Sequence, residues 1–193
     1  MYLFVDTETS GLPESYNAPP DDIDNWPRIV QLAWIAADSE GHQLESKCDI
    51  IFPDEFSISK GAIAKHGITI AKAKKEGIPI KDALKELNKK IKSSDVIISH
   101  NIRFDVPTIN AEFVRAAMKT SLLEKSTFCT MTRREITSFC RIPKPSGTGY
   151  KWPALPELHK KLFNTVFEGE HDASKDVEVC AKCYFEMKSR GII

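Results

Sequence analysis

Asp6 and Glu8 stand two residues apart in the stretch Phe4-Val5-Asp6-Thr7-Glu8-Thr9-Ser10-Gly11-Leu12. Side chains of a strand alternate faces, so in a strand these two carboxylates project the same way. Like charges side by side need a cation or a raised pKa, and a divalent metal with hard oxygen ligands keeps both ionised. Further acids fall where helices should begin: Asp105, and Asp172 with Asp176. Taken singly, each reads as an ordinary cap or first-turn acid. His171 stands just before the last pair, and by itself is an ordinary cap or surface histidine.

The elements that must position these groups follow from periodicity and turn signals. Leu3, Phe4 and Val5 open a buried strand that the Ser10-Gly11 turn signal closes. A long loop over residues 13–27, rich in Pro and Asp, is expected to be mobile. Residues 29–37 and 44–52 read as second and third strands around a turn at Gly41, which makes an antiparallel meander. Ser59 should cap a helix ended by Gly67, and Thr69 another ended by Gly77. Ile80, Leu84, Leu87 and Ile91 recur at helical spacing.

Residues 95–100 then read as a strand, and 106–118 as a helix with Ile109, Phe113 and Ala117 inward and Asp105 at its start. A short strand near Phe128 and Met131, a helix through Ile136 and Cys140, a loop over 143–153 and a helix through Leu155, Leu158, Leu162 and Phe163 come next. Ala173, Val177, Cys180, Tyr184 and Met187 stripe a last helix capped by Asp172. Paired strands followed by alternating strands and helices predict an α/β fold with a mixed sheet flanked by helices.

A chain of 193 residues, 41% hydrophobic, can bury one core of its own, and residues 1–193 read as a single domain. No apolar run reaches the ~18 residues of a membrane span and the N-terminus has no signal-peptide pattern, so the expected location is cytoplasmic, away from membranes. Five cysteines, an odd number, read as reduced core residues, with Cys180-x-x-Cys183 as helix packing in preference to a metal or redox pair. Net charge is zero, which argues against a broad grip on duplex nucleic acid. Residues 1–59 carry 12 acids and 2 bases, whereas the rest carry 25 bases and 15 acids. That asymmetry fits an acidic metal site with a basic rim, or simply solvated helix faces.

Together the acids match a pattern. The stretch from Phe4 to Leu12, the segment Ser99-His100-Asn101-Ile102-Arg103-Phe104-Asp105, and His171-Asp172-Ala173-Ser174-Lys175-Asp176 resemble, in order, the three motifs of the DEDDh 3′→5′ exonucleases. That group includes the proofreading epsilon subunit of bacterial DNA polymerase III. His66-Gly67-Ile68-Thr69 also resembles a segment these enzymes carry between the first two motifs. The resemblance implies a ribonuclease-H-like fold. It implies that Asp6, Glu8, Asp105 and Asp176 hold two Mg²⁺ or Mn²⁺ ions, that His171 takes the proton of the attacking water with Glu8 beside it, and that the substrate is a single-stranded DNA 3′ end. A DNA polymerase subunit is an implied partner. Four acids suit that chemistry, since they offset two neighbouring cations while the cations stabilise the charge that phosphodiester hydrolysis builds.

Thr9, Leu12, His66, Asn101 and Phe104 are the candidate substrate contacts. The resemblance sets Leu12 beside the terminal base and Asn101 near the terminal nucleotide. Leu12 as core filler is the rival reading, Phe104 reads more readily as packing its helix onto the sheet, and His66 either approaches the phosphate or merely ends its helix. In the 143–153 loop, Lys144 and Lys151 are candidate backbone contacts, Tyr150 adds a stacking surface, and Trp152 is read as a hydrophobic staple for the next helix. Two alternatives stay open: the same chemistry on RNA, and a catalytically silent module that binds a nucleic-acid end or a partner.

Overall fold

The computed structural model describes residues 1–167 and 171–193. Its centre is a five-stranded sheet ordered β3-β2-β1-β4-β5, with β1 at Tyr2–Thr9, β2 at Ile29–Ala37, β3 at Gln43–Ile50, β4 at Val96–Ser99 and β5 at Ser126–Cys129. β1 pairs antiparallel with β2, and β2 with β3. β4 pairs parallel with both β1 and β5. The chain is therefore the expected α/β fold, a meander followed by parallel strands, and β1 has a hydrogen-bonded neighbour on each side.

Among the described residues seven α-helices lie around this sheet: α1 Lys60–His66, α2 Ile70–Glu76, α3 Ile80–Ser93, α4 Ile102–Arg115, α5 Arg134–Cys140, α6 Leu155–Phe163 and α7 Ala173–Ser189. On one face Leu3, Val5 and Trp34 pack with Leu84, Leu87 and Ile91 of α3 and Ile109 and Phe113 of α4. On the other, Phe4, Ala33, Ile35 and Ile98 pack with Ile136, Leu158, Leu162, Val177, Cys180 and Met187 from α5, α6 and α7. Each such Leu, Ile, Val, Phe or Met side chain contributes about 1.5–3 kcal/mol by leaving water. Strands covered on both faces lose strict polar alternation, and all nine residues of β2 are buried.

This layering decides where the acids point. Leu3 and Val5 belong to the α3/α4 face and Phe4 to the α7 face, so alternation sends Thr7 toward α4 and Asp6 and Glu8 toward α7. The pairing of β1 with β2 shifts register between Glu8 and Thr9, an irregularity that ends the regular strand just past the second acid.

Four local expectations give way. The helix expected over 106–118 begins at Ile102, because Asn101 takes a left-handed φ of 86° and turns the chain straight out of β4. Pro107 is consequently inside α4. At the other end Ala116 is buried, whereas Ala117 has φ 53° and lies outside the helix. Second, the 13–27 loop is tied down rather than mobile. Trp26 is buried and its Nε1 donates to the Pro19 carbonyl at 2.8 Å, and Asn110 Nδ2 donates to the Pro20 carbonyl at 3.0 Å. Arg115 donates to the Ile23 and Trp26 carbonyls, and Glu112, itself buried, accepts from Arg28 Nε at 2.7 Å and from Arg115 at 3.0 Å.

Third, Cys48 is exposed, since it lies on edge strand β3, while the other four cysteines are buried; all five are free thiols. Fourth, Trp152 is 53% exposed, so it is no staple. Pro153 is the buried residue ahead of α6, and Glu157 accepts from the Ala154 N–H at 2.8 Å to close that helix's first turn. Among the described residues no helix is long and apolar enough to cross a membrane.

Candidate active site

The three acidic segments converge at the end of β1. Ligand atoms of Glu8, His171 and Asp176 all lie within 4.8 Å of one another. Asp6, Glu8, Asp105, Asp176 and His171 line one chamber of about 370 Å³ with His100, Asn101 and Phe104. Groups from positions 6 to 176 thus meet because β1 is central and α4 and α7 begin beside its end.

Asp105 is held from two strands. Thr7 Oγ1 donates to its Oδ1 at 2.8 Å and Ser99 Oγ to its Oδ2 at 2.5 Å. Burial raises its pKa to about 6, against the downward pull of those two hydroxyls. Asp6 has no such relief. Burial, then Asp105, Asp176, Glu8 and Asp172 in turn, push its carboxyl well above the usual range. Burial, then Asp176, Asp105 and Asp172, push Glu8 up to about 8, with Lys65 acting the other way.

α7 is seated so that its first turn meets this cluster. Asp172 caps it by accepting from the Ser174 N–H at 3.0 Å. Gln31 of β2 locks the cap, donating to Asp172 Oδ1 at 3.2 Å and accepting from the Ala173 N–H at 3.1 Å. Just ahead, His171 adopts a left-handed φ of 67° and its N–H donates to Asp176 Oδ2 at 3.0 Å. A left-handed conformation is unfavourable for any residue with a Cβ, by ~1–2 kcal/mol. His171 and Asn101, both facing the chamber, adopt it.

A second chamber, about 620 Å³, adjoins the first and is lined by Thr9, Gly11, Leu12, Ser59, Gly61, Ala62 and His66. Thr7, Glu8, Leu12, Lys65, Phe104 and His171 line both. Leu12 is 71% exposed, so it is not core filler. Phe104 does not pack under its helix; it is half-buried in the cleft wall, its ring 6.3 Å from that of Tyr16. Asn101 makes no side-chain cap bond and lines the acidic chamber.

The other two candidates are engaged elsewhere. Thr9 is buried and its hydroxyl donates to the Gly11 carbonyl at 2.7 Å. His66 accepts the Ile68 N–H on Nδ1 at 3.0 Å, which leaves Nε2 to donate to the Thr9 carbonyl at 3.3 Å. Burial, with a small push from His171, keeps its imidazole below the usual value. His66 therefore pins α1 to β1 and meets the cavity with its ring. In the 143–153 loop Lys151 is paired with Glu157 at 2.6 Å. Tyr150 and Trp152 are exposed.

Sequence reading missed Thr7, Ser99, Gln31 and Lys65. The first three act through partners 98, 6 and 141 residues away. Lys65 carried a weak signal, as a base just before the His66-Gly67 helix end.

The donor set fits divalent cations. Several hard carboxylate oxygens converge, burial and then mutual repulsion raise the pKa values of Asp6 and Glu8, and one opposing ammonium is among the charges acting on Glu8. Hydrolytic chemistry in which charge builds on oxygen is what such a set supports.

The exonuclease family model, RNase_T, matches residues 3–184. No curated protein sequence matches the chain. Among solved structures, E. coli exonuclease I in complex with a dA16 oligonucleotide is similar over 98% of this chain and 41% of its own, at 22% identity and a TM-score of 0.78. The zinc-bound form of the E. coli ExoI–ssDNA complex matches 98% of this chain and 40% of its own, at 21% and 0.77. A product-bound exonuclease I structure matches 97% and 43%, at 21% and 0.76. The chain thus spans about two fifths of the length of these proteins, and at such identity the likeness is one of fold, the ribonuclease-H-like sheet and its helices.

Proposed function

The chain belongs to the exonuclease family, and on that premise we propose that it removes nucleoside 5′-monophosphates one at a time from the 3′ end of single-stranded DNA. The observation that carries this reading is the meeting of Glu8, His171 and Asp176 within 4.8 Å beside Asp6 and Asp105. A module freed from catalysis has no physical reason to keep so many repelling and titrating groups in one cleft.

Asp6, Glu8, Asp105 and Asp176 would hold two Mg²⁺ or Mn²⁺ ions, their hard oxygens matching those cations. Bound there, the ions would neutralise the acids and stabilise charge on the attacking and leaving oxygens. His171 accepts the proton of the attacking water, held toward it by its left-handed backbone and its N–H bond to Asp176. The larger chamber takes the terminal nucleoside, with Leu12 and Phe104 against the base and Asn101 near the sugar-phosphate. Thr9 and His66 shape that chamber from behind. The oligonucleotides and ssDNA named for the exonuclease I structures favour single-stranded DNA. Residues 1–193 act as one catalytic domain, in the cytoplasm, in DNA repair or in proofreading beside a polymerase subunit.

Matched DNA and RNA oligonucleotides, single-stranded and duplex, labelled at either end and incubated with Mg²⁺, Mn²⁺ or EDTA, test this. Stepwise shortening of single-stranded DNA with release of labelled mononucleotide from the 3′ end, stopped by EDTA, is the expected result. Faster digestion of RNA would make the chain an exoribonuclease. Retention of the oligonucleotide without any cleavage would make it a binding module.

A further inference from the structure

Resting on that functional reading, we propose that Lys65 binds the scissile phosphate of the substrate through its ammonium group. Among the described residues that line the two chambers it is the one Lys or Arg, and it lines both. A terminal nucleotide with its nucleoside in the larger chamber and its phosphodiester over the acids must cross the wall the chambers share. Lys65 stands on that wall with Glu8, Leu12, Phe104 and His171.

The helix that carries it is fixed to the strand that carries the acids. At the start of α1 the Ser59 N–H donates to the Ser10 carbonyl at 2.9 Å, and at its end His66 donates to the Thr9 carbonyl at 3.3 Å. Both ends are therefore tied to the residues that follow Glu8. Gly67, at φ 70°, stops the helix one residue beyond His66, which leaves Lys65 in the last turn above the strand end. Gly61 and Ala62 of the same helix line the larger chamber alone and add no bulk or charge there.

Nearby alternatives are engaged. Residues 1–59 contain two bases, Arg28 and Lys47. The first is bound to Glu112 at 2.7 Å and the second to Asp49 at 3.2 Å. A polyanion approaching a chamber lined by four carboxylates meets repulsion that the cations offset only at their own positions. An ammonium at the chamber wall supplies attraction for the oxygens that face away from them. The ordinary role for a lysine in a last turn is to favour the helix dipole, an effect independent of substrate.

Lys65→Met, Lys65→Arg and, as a control on the same helix outside both chambers, Lys60→Met separate the two roles. Steady-state digestion of an oligothymidylate with Mg²⁺ across a salt series is compared with inhibition by thymidine and by thymidine 5′-monophosphate. Lys65→Met should lower kcat/KM about 10- to 100-fold, the weight of one hydrogen bond to a charged group. It should flatten the salt dependence by about one unit of slope and weaken inhibition by the monophosphate while leaving thymidine unchanged. Lys65→Arg should recover most of the loss, and Lys60→Met should behave as the parent. If the parent digests the oligonucleotide and Lys65→Met keeps the parental monophosphate inhibition and salt slope, the assignment of Lys65 falls while the exonuclease reading stands. A parent that leaves every oligonucleotide intact overturns both.

Discussion

The backbone N–H of His171 donates to the carboxylate of Asp176, five residues ahead, at 3.0 Å. One side chain therefore both faces the acidic chamber and fixes the residue proposed to take the proton. The two functions can be separated. Asp176→Asn keeps an oxygen that accepts the His171 N–H but loses the charge, whereas Asp176→Ala loses both. Both variants should be inactive with Mg²⁺, and Asp6→Ala should match them. Asp6→Ala and Asp176→Asn should melt no lower than the metal-free parent, since each relieves repulsion among the clustered acids, whereas Asp176→Ala also gives up the bond to the His171 N–H. Parental digestion of a 3′-labelled oligonucleotide by Asp6→Ala or Asp176→Asn would refute the metal assignment.

His171 combines a chemical and a conformational demand. Its replacement by Ala should lower turnover by about 10²- to 10⁴-fold, the usual weight of a positioned base. Glycine accepts a left-handed φ without strain, so His171→Gly should be about 1 kcal/mol more stable than His171→Ala and equally slow. Calorimetric melts of the two variants check the first point. Parental turnover by either variant would remove His171 from the role of base.

The acid cluster makes a stability prediction whose sign follows from the direction of its shifts. Glu8 titrates near 8 in the fold, against 4.5 ordinarily, and Asp6 shifts the same way. The metal-free native state thus binds more protons than the unfolded chain between those values, and its stability must fall as pH rises through that window. A cation bound at the carboxylates should reverse this by favouring their ionised forms. In EDTA the melting temperature should be higher at pH 5.5 than at pH 8.5. Mg²⁺ should raise it far more at pH 8.5. A Mg²⁺ effect that is equal at both pH values would show that the cation binds elsewhere.

Leu12 is a side chain whose removal should affect substrate and not fold. At 71% exposure it has little burial to lose, so Leu12→Ala should change stability by less than about 0.5 kcal/mol. Its kcat/KM on single-stranded DNA should still drop several-fold, with KM rising more than kcat falls. A variant with parental KM would return Leu12 to the ordinary surface.

Much of this architecture was legible because it is periodic or local. Alternation alone set Asp6 and Glu8 on one face, and Ser59, Thr69 and Asp172 cap their helices as their residue types suggest. The early start of α4 was not legible, since it depends on a left-handed Asn101, and the helical pattern beyond Val106 carries no trace of that turn. Nor was the anchoring of the 13–27 loop, which rests on a buried Glu112 and on Arg115 donating to backbone carbonyls across about 90 residues. Phe104 was misjudged for a related reason. Once the helix begins at Ile102, that ring turns from the sheet to the cleft.

Gln31 lies on β2, whereas Asp6 and Glu8 come from β1 and Asp105 from α4. His171 and Asp176 are placed by α7, whose first turn β2 holds through the Gln31 bonds to Asp172 and Ala173. A neutral residue with no charge of its own in the cleft thus governs where two of its titratable groups stand, and a change at Gln31 reaches both at once.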